Sequence, residues 1–151
     1  SGIRIDREGH FWHEGAEVTH EGFKRALYRW LDRLPDGRIV LRLDDQRFAY
    51  VDVADTPLVV RAIRRPKEST SGTRVESFTL LLSDGSEEPL VPGGLAIDAS
   101  GTLRAVVRGG RLEARLSTSA VAALADDLDL THDRARLRVQ GHWVPIPPRS
   151  P

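Results

Sequence analysis

The 151 residues balance 22 Lys and Arg against 22 Asp and Glu, with hydrophobic residues at 40% and charged residues at 29%. That composition fits one folded domain or two small joined halves, and it opposes disorder. Balanced charge excludes a long-range cationic field for nucleic acid, and the lack of cysteine excludes disulfides, thiolate catalysis and cysteine-based zinc sites. No apolar run approaches the roughly 18 residues of a membrane span, and no signal peptide opens the chain. The expectation is a cytoplasmic protein with no nucleic-acid partner and no membrane span. Ser1-Gly2 reads as a cloning remnant. Arginine outnumbers lysine 20 to 2, the balance of a GC-rich bacterial genome.

Residues 3–5 and 10–13 read as two short strands around a turn at Asp6-Arg7-Glu8-Gly9. Thr19 is placed to cap a helix whose apolar stripe is Phe23, Ala26, Leu27, Trp30, Leu31 and Leu34, ended by Pro35-Asp36-Gly37. Strands are expected at 38–43, 47–53 and 58–65, with Asp44-Asp45-Gln46 as a turn. The polar stretch 66–73 reads as a seam, followed by a long strand at 74–82, a turn at 83–86, and strands at 95–98 and 103–108. A second helix is expected over 117–128, capped by Ser117 or Ser119, with Val121, Leu124, Ala125 and Leu128 as its stripe. Strands at 135–139 and 142–146 meet at Gln140-Gly141, and the Pro-rich tail is expected to fray.

The fold class is therefore α+β, in two similar halves, each mostly antiparallel strands with one helix. The first half spans 3–66, the connecting loop 67–73, and the second half 74–147. A short echo supports two related halves: Gly9-His10-Phe11-Trp12 and Gly141-His142-Trp143 both place an aromatic just after a hairpin turn.

Residues 103–116, L-R-A-V-V-R-G-G-R-L-E-A-R-L, carry the strongest functional signal. They read as a hairpin around Gly109-Gly110, with Arg108 opposite Arg111, Val106 opposite Glu113 and Arg104 opposite Arg115. Leu103, Ala105, Val107, Leu112, Ala114 and Leu116 form the other face. Four guanidinium groups around one carboxylate call for an answering negative group, since like charges opposite one another destabilise a strand pair. Arg104, Arg108, Arg111 and Arg115, oriented by Glu113, would grip a carboxylate or phosphate through bidentate contacts. Alternatively the face is solvated, or is answered by Asp126, Asp127 and Asp129. Arg134, Arg136 and Arg138 alternate with apolar residues as on a half-buried strand.

Other constellations are weaker. His10, His13, Glu14, Glu17, His20 and Glu21 lack metal-ligand spacing, because His10 and His13 point to opposite faces of a strand. Asp44-Asp45 and Glu87-Glu88 sit in turns, and no G-x-S-x-G or phosphate-cradling glycine loop occurs. No catalytic residue, metal or cofactor is assigned. Of the neighbours Phe11 and Trp12, only one can face inward, and Trp12 joins the arginines as a candidate groove wall.

Several segments together resemble a bacterial domain-of-unknown-function family. They are Gly9-x-Phe11-x-x-x-Gly15 with its following helix, Asp36-Gly37, Val53-x-Asp55-Thr56-Pro57-Leu58-Val59, Val107-Arg108, Leu112-Glu113-Ala114-Arg115 and Gly141-His142-Trp143. The chain departs from the family pattern at Phe11, at Leu82-Ser83-Asp84-Gly85 and at Ser117-Thr118-Ser119-Ala120. The resemblance implies a duplicated α+β fold with a pleckstrin-homology-like second half, a ligand between the halves and a signalling role. The resulting expectation is a non-enzymatic ligand-binding or regulatory module, with a small anionic ligand or an acidic protein segment at the seam. The alternative is a structural or protein-interaction domain without a small-molecule ligand.

Overall fold

The computed structural model describes residues 1–66, 77–131 and 134–150. The expected link at 67–73 and the start of the strand at 74–76 lie outside these residues.

Local chemistry sets the first hairpin. β1 (Ile3–Ile5) and β2 (Phe11–His13) pair antiparallel across a turn in which the Asp6 carboxylate accepts the N–H groups of Glu8 and His10, each at 2.9 Å. Gly9 closes the turn at φ +87°, a conformation that an L side chain resists. Strand alternation sends Phe11 fully inward, where burial of such a ring stabilises the fold by roughly 1.5–3 kcal/mol, and leaves Trp12 outward. β3 (Ala16–Glu17) and β7 (Asp52–Val53) complete this sheet in the order β3-β2-β1-β7, with β1 and β7 parallel.

The first helix differs from expectation at both ends. α1 (Glu21–Trp30) is capped by His20, whose Nδ1 accepts the Phe23 N–H at 3.1 Å, and not by Thr19. It stops at Trp30 because Leu31–Arg33 (β4) finds a ladder partner in β5 (Ile39–Arg42), with Leu31 opposite Leu41. Tertiary pairing overrides the helical period here, and Pro35-Asp36-Gly37 forms the β4–β5 turn rather than a helix end. The buried face centres on Leu27 and Tyr28, leaving Phe23 41% exposed. The Tyr28 ring meets Phe11 edge-on at 4.8 Å, and its hydroxyl donates to the Gly9 carbonyl at 2.9 Å. β6 (Phe48–Tyr50) closes the β4-β5-β6 sheet, so the run expected as one strand at 47–53 breaks at Val51 between two sheets.

The largest sheet has the order β10-β9-β8-β13-β12-β11. β8 (Leu58–Arg64) runs through its middle, antiparallel to β9 (Thr79–Leu82) and parallel to β13 (Leu112–Leu116). Its Leu58, Val59 and Val60 are buried in succession, the pattern of a strand covered on both faces. β10 (Glu87–Pro89) is an edge strand that the acidic pair Glu87-Glu88 had marked as a turn; its charges and proline discourage further pairing. β11 (Leu95–Ile97) pairs β12 (Leu103–Val107).

α2 (Thr118–Leu124) has the expected cap, Ser117 Oγ accepting the Ala120 N–H at 3.1 Å. It buries Ala120 and Leu124, then tightens into a 3₁₀ turn at Ala125–Asp127 before the expected end. β14 (Leu128–Asp129), β15 (Ala135–Val139) and β16 (His142–Ile146) form the last sheet. The tail is tied down rather than frayed. Ile97 donates to the Pro147 carbonyl at 3.0 Å, Arg149 donates to the Ile97 carbonyl at 2.7 Å, and the edge of β11 is thereby covered. The architecture is α+β, with strands dominating and two α-helices among the described residues. None of the described helices is long and apolar enough to cross a membrane.

Candidate functional site

The hairpin pairs in the register read from its sequence: Arg104 opposite Arg115, Ala105 opposite Ala114, Val106 opposite Glu113 and Val107 opposite Leu112. Its apolar face is fully buried. The turn is wider than two residues, since Arg108, Gly109 and Gly110 stand at φ +51°, +65° and +90°. Arg108 and Arg111 are consequently turn residues, and their side chains leave the strand face.

The guanidinium groups separate into two places. At the open end of the hairpin, Arg104 and Arg115 are buried, each 7% exposed. Arg104 donates from Nη2 to Asp55 Oδ1 at 2.7 Å and from Nε to Asp98 Oδ2 at 2.9 Å. Burial opposes its charge, but these two carboxylates hold its pKa above the ordinary value. Asp98 is lowered, by the Ser100 hydroxyl first and then the Thr102 N–H and Arg104. Arg115 Nη2 donates to the Arg7 carbonyl at 2.8 Å, while its Nε lies 3.5 Å from Asp55 Oδ2 without a hydrogen bond. Thr56, itself buried, accepts the Arg115 backbone N–H at 3.0 Å.

At the turn end, Arg108 donates to Asp84 Oδ2 at 2.8 Å, and its backbone N–H reaches the Glu88 carboxylate at 3.2 Å. Burial pushes the Asp84 carboxyl up, yet hydrogen bonds from Ser86 and Arg108 outweigh it and the pKa falls. Arg111 pairs with Asp32, which Arg42 also holds at 2.9 Å. There too, burial is outweighed by the Arg111 and Arg42 hydrogen bonds and the Arg33 backbone N–H, so the Asp32 pKa is lowered. Glu113 turns to the tail, where Arg149 makes a two-pronged contact at 2.6 and 2.8 Å.

The charge that answers the hairpin therefore comes from Asp32, Asp55, Asp84 and Asp98, and not from the acidic cluster after α2. Asp127 is held by Arg65 at 2.7 Å and Arg138 at 3.1 Å. Asp129 is lowered to about 2, chiefly by the Thr131 hydroxyl and backbone N–H, with Arg136 adding to them. Arg136 and Arg138 also stack over Trp143, with guanidinium carbons 4.3 and 5.6 Å from the ring centroid.

Trp12 is half-buried beside Arg4 and donates its Nε1–H to Asp6 Oδ2 at 2.8 Å. It does not reach the hairpin arginines; it braces the 6–9 turn that carries Arg7 and Glu8. Arg7 was legible only as a turn residue. Asp55 and Thr56 had a signal in the Val53-x-Asp55-Thr56-Pro57 segment but none that identified their partner.

A groove of about 390 Å³ opens beside this cluster. Its apolar lining includes Leu103, Leu116, Val121 and Leu130, and Arg7 and Arg115 supply its charge. A second cleft of about 300 Å³ separates α1 from the β8–β9 region, lined in part by Lys24, Arg25, Arg61 and Asp84. Its Lys24 is already paired with Glu21 at 2.9 Å, and its Asp84 with Arg108. No group of three or more metal-ligating side chains occurs among the described residues.

The fold defines a class. The chain is similar in structure to a DUF1285 family protein from Silicibacter pomeroyi DSS-3, with a TM-score of 0.74 at 22% identity over 96% of this chain and 79% of that one. It is also similar to a DUF1285 family protein from Shewanella baltica OS155, with a TM-score of 0.63 at 15% identity over 85% of this chain and 94% of that one. These likenesses establish a shared fold with a bacterial family of unknown function, as the sequence resemblance implies. No family model matches the sequence, and no curated protein matches it.

Proposed function

We propose that this protein is a non-enzymatic binding module with a regulatory role, which holds a small anionic ligand at the seam between its halves. One observation carries the reading. Arg115 has a side chain 9% exposed, yet among the described residues its five N–H groups make one hydrogen bond, to Arg7. A guanidinium so deeply placed and so sparsely bonded is costly unless an acceptor reaches it. It lines the groove together with Arg7, which comes from the other half and is 60% exposed. Among the described residues, the groove lining includes no imidazole or carboxylate to serve as a general base, which favours binding over catalysis.

Arg104, Arg108 and Arg111 have a different part in this reading. Each is engaged by a carboxylate, and because Asp55 and Asp32 lie in the first half, Arg104 and Arg111 fasten the seam that Arg7 and Arg115 leave open, while Arg108 is held by Asp84 within the second half. The same pairing favours the second reading, a purely structural hairpin. Calorimetric melting with a panel of small anions separates the two. The binding reading expects at least one anion to raise Tm in the native protein and not in Arg7→Ala; equal shifts in both contradict it.

A further inference from the structure

Resting on that seam-site reading, we infer that the ligand is an amphipathic monocarboxylate, with its carboxylate on Arg7 and Arg115 and its aliphatic part along the groove. The volume, about 390 Å³, lies within the range of small-molecule sites. Leu103 and Leu116 form a floor fixed by the sheet, each nearly fully buried. Val121 from α2 walls one side, and Leu130 stands 48% exposed at the rim. Leu130 and the partly exposed Val121 offer the apolar surface that an aliphatic tail would cover.

The charge pattern selects the headgroup. Arg7 Nη1 and Arg115 Nε approach the same oxygen, Asp55 Oδ2, at 3.7 and 3.5 Å, and neither donates a hydrogen bond to it. Asp55 spends its other oxygen on Arg104 at 2.7 Å. One carboxylate thus serves three guanidinium groups and leaves Arg7 and Arg115 with unused donors. Glu8 is the remaining counterion, 3.6 Å from Arg115 Nη2, without a hydrogen bond and with a side chain 69% exposed. An incoming carboxylate displaces it at little cost and gains charge-assisted bonds. A hydrated phosphate would leave Val121 and Leu130 uncovered, and a neutral alcohol would leave the buried Arg115 donors unmet.

Titration calorimetry tests this with octanoate, octanol, acetate and inorganic phosphate, on the native chain and on Arg7→Ala and Ala122→Trp. Both substituted residues are exposed, so neither variant disturbs the core. Octanoate is expected to bind at least about tenfold more tightly than the other three probes, and both variants to weaken it by about fivefold or more. Octanol matching octanoate overturns the headgroup assignment. Acetate or phosphate matching octanoate, with Arg7→Ala still weakening them, overturns the aliphatic class while the anion site stands. If no anion binds, or binding ignores both variants, the site itself is overturned.

Discussion

Arg115 reaches across 108 residues of sequence to donate a 2.8 Å hydrogen bond to the carbonyl of Arg7, joining the β12–β13 hairpin to the turn at 6–9. Around this contact the protein buries two arginines and shares Asp55 between them. Breaking such a cluster differs energetically from removing a surface pair.

Arg104→Ala leaves Asp55 and Asp98 in a nearly closed site without their main cation. Removing one partner of a buried ion pair costs about 3–5 kcal/mol. Arg111→Ala, whose side chain is 60% exposed, is expected to cost under about 1 kcal/mol. Urea titrations of both variants check this ordering, which equal losses would contradict.

Arg108 combines a positive φ with a side-chain ion pair. Arg108→Ala and Arg108→Gly both lose the Asp84 contact, but only alanine keeps a Cβ in the left-handed region. Alanine is therefore expected to be less stable than glycine by roughly 1 kcal/mol, read from the same denaturant curves.

Acid should destabilise the fold. Asp32 and Asp84 both have folded pKa values below the ordinary carboxylate value. Their contribution is complete above the unfolded value, near 3.9, and is lost as pH falls through the lowered folded values. Stability is expected to fall steeply below about pH 4, and Asp84→Asn should flatten that slope. Melting temperatures across pH 2–7 measure it; an unchanged slope in Asp84→Asn counts against the Arg108 clamp.

Much of the fold was legible because it follows from local pattern. Alternation from Leu103 to Leu116 gave both the hairpin register and its buried face. Ser117 capped its helix as its side-chain chemistry dictates. What local pattern does not carry is the identity of distant partners. Asp55 lies 49 residues from Arg104 and Asp32 lies 79 from Arg111, so the nearer acidic cluster at 126–129 looked like the natural answer. The extra apolar residues after α1 fitted a helical stripe equally well, and only the partner strand β5 decided against it. The 6–9 turn revealed its own geometry but not that Arg7 faces a groove built from residues more than ninety positions away.

The tail offers a separate check. Ile97 N–H is covered by Pro147, so removing residues 147–151 should speed its amide exchange while the Ala105 and Ala114 amides inside the sheet remain protected. Unchanged exchange at Ile97 would show that the tail does not guard the β11 edge.

The most direct measurement of the central claim is the NMR resonance of the Arg115 Nε–H during an octanoate titration. If Arg115 is the buried donor of a seam site, that resonance shifts downfield saturably, together with the backbone amides of Arg7, Thr118 and Ala122. Saturating octanoate that leaves the Arg115 Nε–H unmoved would contradict the account.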